Sequence, residues 1–289
     1  MRKIGASELV LNADGSVYHL NLRPENISTN IITVGDPKRV DLVAEFFDTK
    51  EFETVKREFH TITGTYKGTR FTVISTGIGP DNIDIVINEL DALVNIDLQR
   101  RTIKDEHTVL NIVRIGTSGS LQASIPVDGF VLGKYGLGFD GLLHYYKSEH
   151  VRELEAEKRF TEQTGWLKDA AKPYFVANSP HLEQKLEGEN IFKGITATAG
   201  GFYGPQGRVL RIPLADEQMH DKLHGFEYNG YKITNFEMET AAIYGLAKLL
   251  GHNACSMNAI IANRKTLDFS ADYKKTIREL IKYVLDALA

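Results

Sequence analysis

The chain has 289 residues, a formal net charge of -4 and a single cysteine. Its slight acidity lacks the concentrated basic face of a nucleic-acid binder, no apolar run approaches the roughly 18 residues of a membrane span, and one cysteine excludes an intrachain disulfide. The opening stretch from Met1 to Glu8 has no signal-peptide core, and no Pro/Gly/Ser-rich linker divides the chain, so a cytoplasmic protein with a single domain over residues 1–289 is expected.

Residues 1–28 are polar and turn-rich, with Tyr18-His19-Leu20 the one notable cluster. The first strand pattern is Asn30 to Val34, followed by Gly35 and then Asp36-Pro37, a good N-cap and first helical residue. Lys38 and Arg39 fall in the first helical turn, where the macrodipole disfavours cations. An anion over that helix end, held by backbone N–H groups and the Arg39 fork, removes the conflict; a pair of surface cations is the plainer alternative. A β-rich stretch from Lys56 to Thr63 and a hairpin turn at Tyr66-Lys67-Gly68 lead to a strand from Phe71 to Thr76, which ends in Gly77-Ile78-Gly79-Pro80 before a helix over Asn82 to Asn95.

The strand Val109 to Ile115 carries Arg114 and runs into the glycine-rich turn Gly116-Thr117-Ser118-Gly119. A guanidinium on a buried strand keeps its charge, so it requires either a distant carboxylate or a bound anion such as phosphate. Further along come a short strand at Phe130 to Gly133, a charged helical face between His150 and Thr164, a helix over His181 to Leu186, and strands at Gly194 to Ala199 and Tyr231 to Phe236. A helix over Thr240 to Leu250, a strand at Ala259 to Ala262 and a helix over Tyr273 to Leu288 complete the chain, with Cys255 read as a buried, inert thiol. Strands alternating with helices indicate a three-layer α/β/α arrangement around a mixed, largely parallel central sheet. Ligands bind such sheets at the carboxyl ends of the strands, where the glycine-ended turns lie, although neither a dinucleotide fingerprint nor a Walker loop is present.

Two later segments carry chemistry. In Asn235-Phe236-Glu237-Met238-Glu239-Thr240, extended backbone points both glutamates the same way, and a carboxylate there can accept both hydrogens of a vicinal diol while Met238 offers a soft contact to a sugar face. Glu239 could instead complement a helix dipole, and a carboxylate pair also suits glycoside hydrolysis. In Phe202-Tyr203-Gly204-Pro205-Gln206-Gly207-Arg208, Gln206 and Arg208 supply donors and an acceptor for a planar ring with two carbonyls and an N–H, and Phe202 can stack on it. Read alone, that loop is a surface turn.

Taken in order, Val34 to Arg39, Ser75 to Gly79, Arg114 to Thr117, Phe202-Tyr203 with Gln206 and Arg208, and Phe236 to Glu239 resemble the successive motifs of the uridine phosphorylases, in the nucleoside phosphorylase superfamily. The resemblance implies phosphorolysis of uridine or a related pyrimidine nucleoside to the free base and ribose 1-phosphate. It implies phosphate on Gly35, Arg39, Arg114 and Thr117, ribose on Glu237, Met238 and Glu239, and base on Phe202, Gln206 and Arg208, with Arg114, Glu239 and Arg208 carrying catalysis. Arg57 looks like an arginine lent to a neighbouring subunit's phosphate and His19 like a histidine lent to its ribose 5′-hydroxyl, which implies a homodimer or homohexamer with shared sites and a segment 1–28 lying against a neighbour. No cofactor or metal is implied beyond phosphate as co-substrate, although some relatives hold an interface potassium ion.

Purine-preferring relatives carry an aspartate that protonates the base, where this chain has Asn263; a carboxamide cannot act as that acid, so pyrimidine preference follows. The chain departs from the pattern at Pro80-Asp81-Asn82 and at Gly204-Pro205. A purine phosphorylase or nucleosidase and a non-catalytic nucleoside-binding protein are the alternatives.

Overall fold

The computed structural model describes residues 3–289. In chain order the elements are β1 (Asn30–Val34), α1 (Pro37–Ala44), β2 (Thr49–Lys56), β3 (Phe59–Tyr66), β4 (Thr69–Ser75), α2 (Pro80–Asn95), the small hairpin β5 (Ile96–Asp97) and β6 (Thr102–Ile103), β7 (Asn111–Ser120) and β8 (Phe130–Gly138). There follow α3 (Leu154–Thr164), β9 (Tyr174–Ala177), α4 (Pro180–Leu186), β10 (Ile191–Thr198), α5 (Met219–His224), β11 (Glu227–Tyr228), β12 (Tyr231–Glu237), α6 (Thr240–Leu249), β13 (Asn253–Asn263) and α7 (Tyr273–Leu288). All strands but β5 and β6 form one mixed sheet in the order β11-β12-β10-β8-β13-β7-β1-β4-β3-β2, with β9 on β8.

Alternation along the central strands builds two cores. Ile31, Ile74, Ile112 and Ala254 face α2 and α6, while their successors or predecessors Ile32, Val73, Val113 and Cys255 face α1, α4 and α7. Successive side chains of a strand point to opposite faces, so each strand serves both helical layers. The expected three layers are therefore present. Beyond them, β12 also pairs antiparallel with β7, through Asn235 with Ser120 and Phe236 with Gly119, and this closes β7, β13, β8, β10 and β12 into a barrel at one end of the sheet.

Several boundaries differ from the sequence expectation, each for a local reason. Gly116 to Ser120 continues β7 and is not a turn. A Cβ at Gly116 would overlap the Arg114 guanidinium, so glycine lets that side chain fold back along its own strand. The stretch from Lys56 to Thr63 divides into a β2–β3 hairpin, with Arg57 in its turn at φ +56°. Helix α2 begins at Pro80, not Asn82: Gly79, at φ +97°, is its N-cap, Pro80 its first residue and Asp81 a favourable acid in the first turn. The 253–263 segment is one long strand. The segment before β1 is less peripheral than its polarity suggests, since Val17, Leu20, Leu22 and Ile27 are buried in the chain's own core beside α2. Cys255 is fully buried, and burial pushes its thiol up to about 12.

Candidate active site

The carboxyl ends of β1, β4, β7, β12 and β13 and the loop after β10 surround a cleft of about 1010 Å³. At one end lie Gly35, Arg39, Gly77, Arg114 and Thr117; at the other lie Phe202, Gln206, Arg208, His220, Phe236 and Arg264; Met238 and Glu239 also line the cleft, Glu239 bonded to Arg114 and to the Gly79 amide. The structure thus brings together every predicted site residue except His19 and Arg57, which are absent from the cleft lining.

At the first end, Asp36 caps α1 as expected, accepting from the Lys38 amide at 2.9 Å. Arg39 points from the first turn of this helix into the cleft, donates to the Ile115 carbonyl at 3.3 Å and forms no ion pair among the described residues. Burial, and then the nearby Arg114 charge, hold its pKa below the usual arginine value. Arg114 is different. Its Nη2 donates to Glu239 Oε2, its Nε lies 3.4 Å from Glu237 Oε2, and its Nη1 donates to Asn258 Oδ1 at 3.2 Å. Of the two possibilities the sequence left open for this arginine, the distant carboxylate is realised. Burial works against its charge, but Glu239 and Glu237 outweigh it and raise the pKa. Two of its five N–H groups remain for another partner.

The two glutamates are not equivalent. Glu237 accepts from Thr198 Oγ1 at 2.6 Å and from the Glu239 and Thr240 amides at 3.0 Å, so its carboxylate closes the N-terminus of α6. The expectation that both carboxylates face a diol is corrected here: the protein itself occupies both Glu237 oxygens, because the strand bends into α6 directly after it. Burial raises the Glu237 pKa, and the Arg114 charge opposes that shift. Glu239 accepts from the Gly79 amide at 2.8 Å and from Arg114, and it lines the cleft. One lone pair on each Glu239 oxygen is left for a ligand.

At the opposite end Gln206 is buried, and its Oε1 accepts from Arg208 Nη1 at 2.6 Å and Arg264 Nη2 at 3.1 Å. Its amide N–H groups have no acceptor among the described residues and can donate. Phe202 does not wait with both faces open, since the Arg208 guanidinium lies 3.7 Å from its ring centroid. Neither Arg208 nor Arg264 has a carboxylate partner among the described residues, and burial lowers both pKa values, that of Arg264 to about 10. The sequence reading assigned no role to Arg264. Its place directly after the strand Asn253–Asn263 is the one signal in the sequence that points to it. For His220, in a polar stretch with no periodicity, no sequence signal existed.

Asn263 is 2% exposed, and its side chain is fully used. It donates to the carbonyls of Gln122 and Ile125 at 3.0 and 2.8 Å and accepts from the amides of Lys265 and Thr266 at 2.8 and 3.1 Å. It braces the turn that carries Arg264 and presents no polar group to a ligand. Outside the cleft, His19 is bound through Nδ1 to Glu89 at 2.6 Å, and Arg57 is exposed in its hairpin turn. Asp91, His107 and His252 place possible metal-ligand atoms within 4.8 Å of one another. There His252 Nδ1 accepts from the Leu110 amide at 3.2 Å, so Nε2 carries the proton given to Asp91 and has no lone pair for a metal.

The sequence and the fold have counterparts among known proteins. A nucleoside phosphorylase from Trypanosoma brucei that shows uridine phosphorylase activity superposes with a TM-score of 0.87 at 31% identity, over 97% of this chain and 99% of that one. A uridine phosphorylase of Thermococcus kodakarensis is 29% identical over 272 residues, 93% of this chain and 85% of the relative. A DeoD-type purine nucleoside phosphorylase of Listeria monocytogenes is 27% identical over 241 residues, 83% of this chain and 84% of the relative. The sheet with its closed end, the cleft at the strand ends and a family model that matches residues 29–289 lead to one conclusion: the chain belongs to the phosphorylase superfamily.

Proposed function

We propose that the protein catalyses phosphorolysis of uridine, or a closely related pyrimidine nucleoside, to the base and ribose 1-phosphate. The observation that carries this reading is the distribution of charge in the cleft. An unpaired guanidinium, Arg39, stands at one end with Arg114 and the Glu239 carboxylate that Arg114 binds, and two more, Arg208 and Arg264, gather on Gln206 at the other. A dianion, a diol and a departing anionic base need that order of groups.

Phosphate binds at the N-terminus of α1 on Arg39, the free N–H groups of Arg114, Gly35 and Thr117. Glu239 and Met238 hold the ribose so that C1′ faces the phosphate. As the C1′–N1 bond lengthens, its electron pair moves onto the base, the sugar gains oxocarbenium character, and a phosphate oxygen forms the new bond to C1′. Arg208 and the Gln206 amide donate to the base as its charge grows, and losing one such donor costs on the order of 100-fold in rate. Uracil leaves as its anion, so no general acid is needed, and no cofactor takes part. Asn263, locked in its turn, provides no acid for a purine leaving group.

In this reading Arg57 and His19 serve a neighbouring copy, and the working unit is a homodimer or a homohexamer with shared sites. Val55 and Ile78, exposed near Arg57 and the cleft respectively, are apolar groups suited to such an interface. Among the described residues no helix is long and apolar enough to cross a membrane, and the reading places the enzyme in the cytoplasm as one folding unit. The test is release of free base from uridine and from inosine, each with and without phosphate. Phosphate-dependent uracil release supports the proposal; phosphate-dependent hypoxanthine release alone, phosphate-independent release, or binding without turnover refutes it.

A further inference from the structure

The base end of the cleft contains a conflict that the position of one proton resolves. His220, on α5, lines the cleft and is half-buried. Its Nε2 lies 3.1 Å from the Gly207 carbonyl oxygen and 3.2 Å from Nη1 of Arg264. The carbonyl only accepts and the guanidinium only donates, so one ring nitrogen serves one of them at a time. Nδ1 has no hydrogen-bond partner among the described residues, and nothing on that side of the ring selects the tautomer. The close approach is built into the backbone: Gly207 sits at φ +69°, and a Cβ there would run into the imidazole.

The remaining bonds of Arg264 favour one state. Its Nη1 donates to the Gln206 carbonyl at 2.7 Å and its Nη2 to Gln206 Oε1 at 3.1 Å, with the guanidinium 5.3 Å from the Phe236 ring centroid. An accepting His220 Nε2 gives the second Nη1 hydrogen a partner. The charged groups that face the imidazole are Arg264 from the turn after β13, Arg208 from the loop after β10, and Asp221 on its own helix. Burial, followed by Arg264, holds its pKa below the ordinary histidine value.

The geometry points to His220 as a positioning residue: its neutral Nδ1–H tautomer accepts from Arg264 and fixes that guanidinium on Gln206, whereas a proton on Nε2 turns the ring to Gly207 and releases Arg264. The kinetic consequence rests on the uridine reading above. Arg264 holds Gln206, which in that reading meets the base already in the ground state, so its release weakens binding more than turnover. KM for uridine rises about tenfold as pH falls through the His220 titration, the effect of one charge-assisted hydrogen bond, and kcat falls less.

Two measurements on the full chain test this. In 15N-histidine-labelled protein, with the His220 signal assigned by its loss in His220→Gln, the ring is a neutral Nδ1–H tautomer at neutral pH, and its pKa rises in Arg264→Gln. In steady-state kinetics between about pH 5 and 8, His220→Gln, whose carbonyl accepts from Arg264 without titrating, loses the acid rise in KM; His220→Leu has a raised KM at every pH. An Nε2–H tautomer at neutral pH overturns the proposal, as does a His220→Leu enzyme with wild-type KM and pH profile. A protein that turns over no uridine fails the functional reading instead, and the tautomer and pKa still decide this one.

Discussion

Replacing Arg39 by methionine retains most of the apolar stem and removes the guanidinium from the N-terminus of α1. The native side chain donates one long hydrogen bond to the protein, at 3.3 Å to the Ile115 carbonyl, and has no ion pair among the described residues. Nearly all of its donors are therefore available to phosphate. Two charge-assisted hydrogen bonds at ~1.5–3 kcal/mol each suggest a loss of at least ~3 kcal/mol, or roughly 100-fold in phosphate affinity. The same number predicts a thermal result without nucleoside. At a phosphate concentration of about 100 Kd the native protein gains ~2.7 kcal/mol, but a variant brought to about its own Kd gains only ~0.4 kcal/mol. For a chain of this length those values correspond to Tm increases of roughly 5 °C and under about 1 °C. The phosphate-free variant melts no lower than the parent, since an uncompensated, partly buried cation has been removed. Differential scanning fluorimetry across a phosphate titration, with KM for phosphate at saturating uridine, provides the check. An Arg39→Met protein with the parent's phosphate-induced shift and phosphate KM would refute the reasoning, because the anion would then lie elsewhere.

Other outcomes follow from the same geometry. Both variants remove the main counter-charge of Arg114, but Glu239→Gln keeps an amide oxygen that accepts from the Gly79 amide or Arg114, and it lowers kcat/KM by on the order of 100-fold with the fold intact; Glu239→Ala leaves the buried Arg114 guanidinium without that acceptor as well and costs ~3 kcal/mol in denaturant unfolding. Arg39→Met and Arg57→Ala, each with little activity alone at phosphate near the native KM, recover about a quarter of native activity when mixed and refolded, since half of the dimers are hybrids with one intact site; no recovery would place Arg57 outside the site. Asn263→Asp yields no purine phosphorolysis and melts earlier, because a carboxylate cannot donate to the Gln122 and Ile125 carbonyls, a loss of ~1–3 kcal/mol for each unsatisfied group. Inosine phosphorolysis by that variant would show that residue 263 faces the base.

Arg114 illustrates how far local sequence can be read. Its place on an apolar strand established that it needed a negative partner. Whether that partner was a ligand or a protein carboxylate depended on residues more than a hundred positions away, brought close when β12 pairs with β7. The helix cap at Asp36 was legible because a side-chain oxygen, an adjacent proline and the first turn lie within a few residues of one another. Glu237 was misread for a related reason: its strand-like spacing to Glu239 was clear, but the backbone turns into α6 between them and delivers amides to its carboxylate.

By itself, the order of apolar and polar residues determined which segments become strands and helices, and Gly35 and Gly77, just after β1 and β4, marked the edge of the sheet that borders the cleft. Those features arise from sterics and hydrogen bonding over a few residues, so a local stretch carries them. Strand order and register decided the rest: the closed end of the sheet, the pairing of Arg114 with Glu239, the isolation of Arg39, and the meeting of Arg264 with His220. An ion pair or a shared proton depends on distances of a few ångströms between distant parts of the chain, and only the assembled core sets those distances.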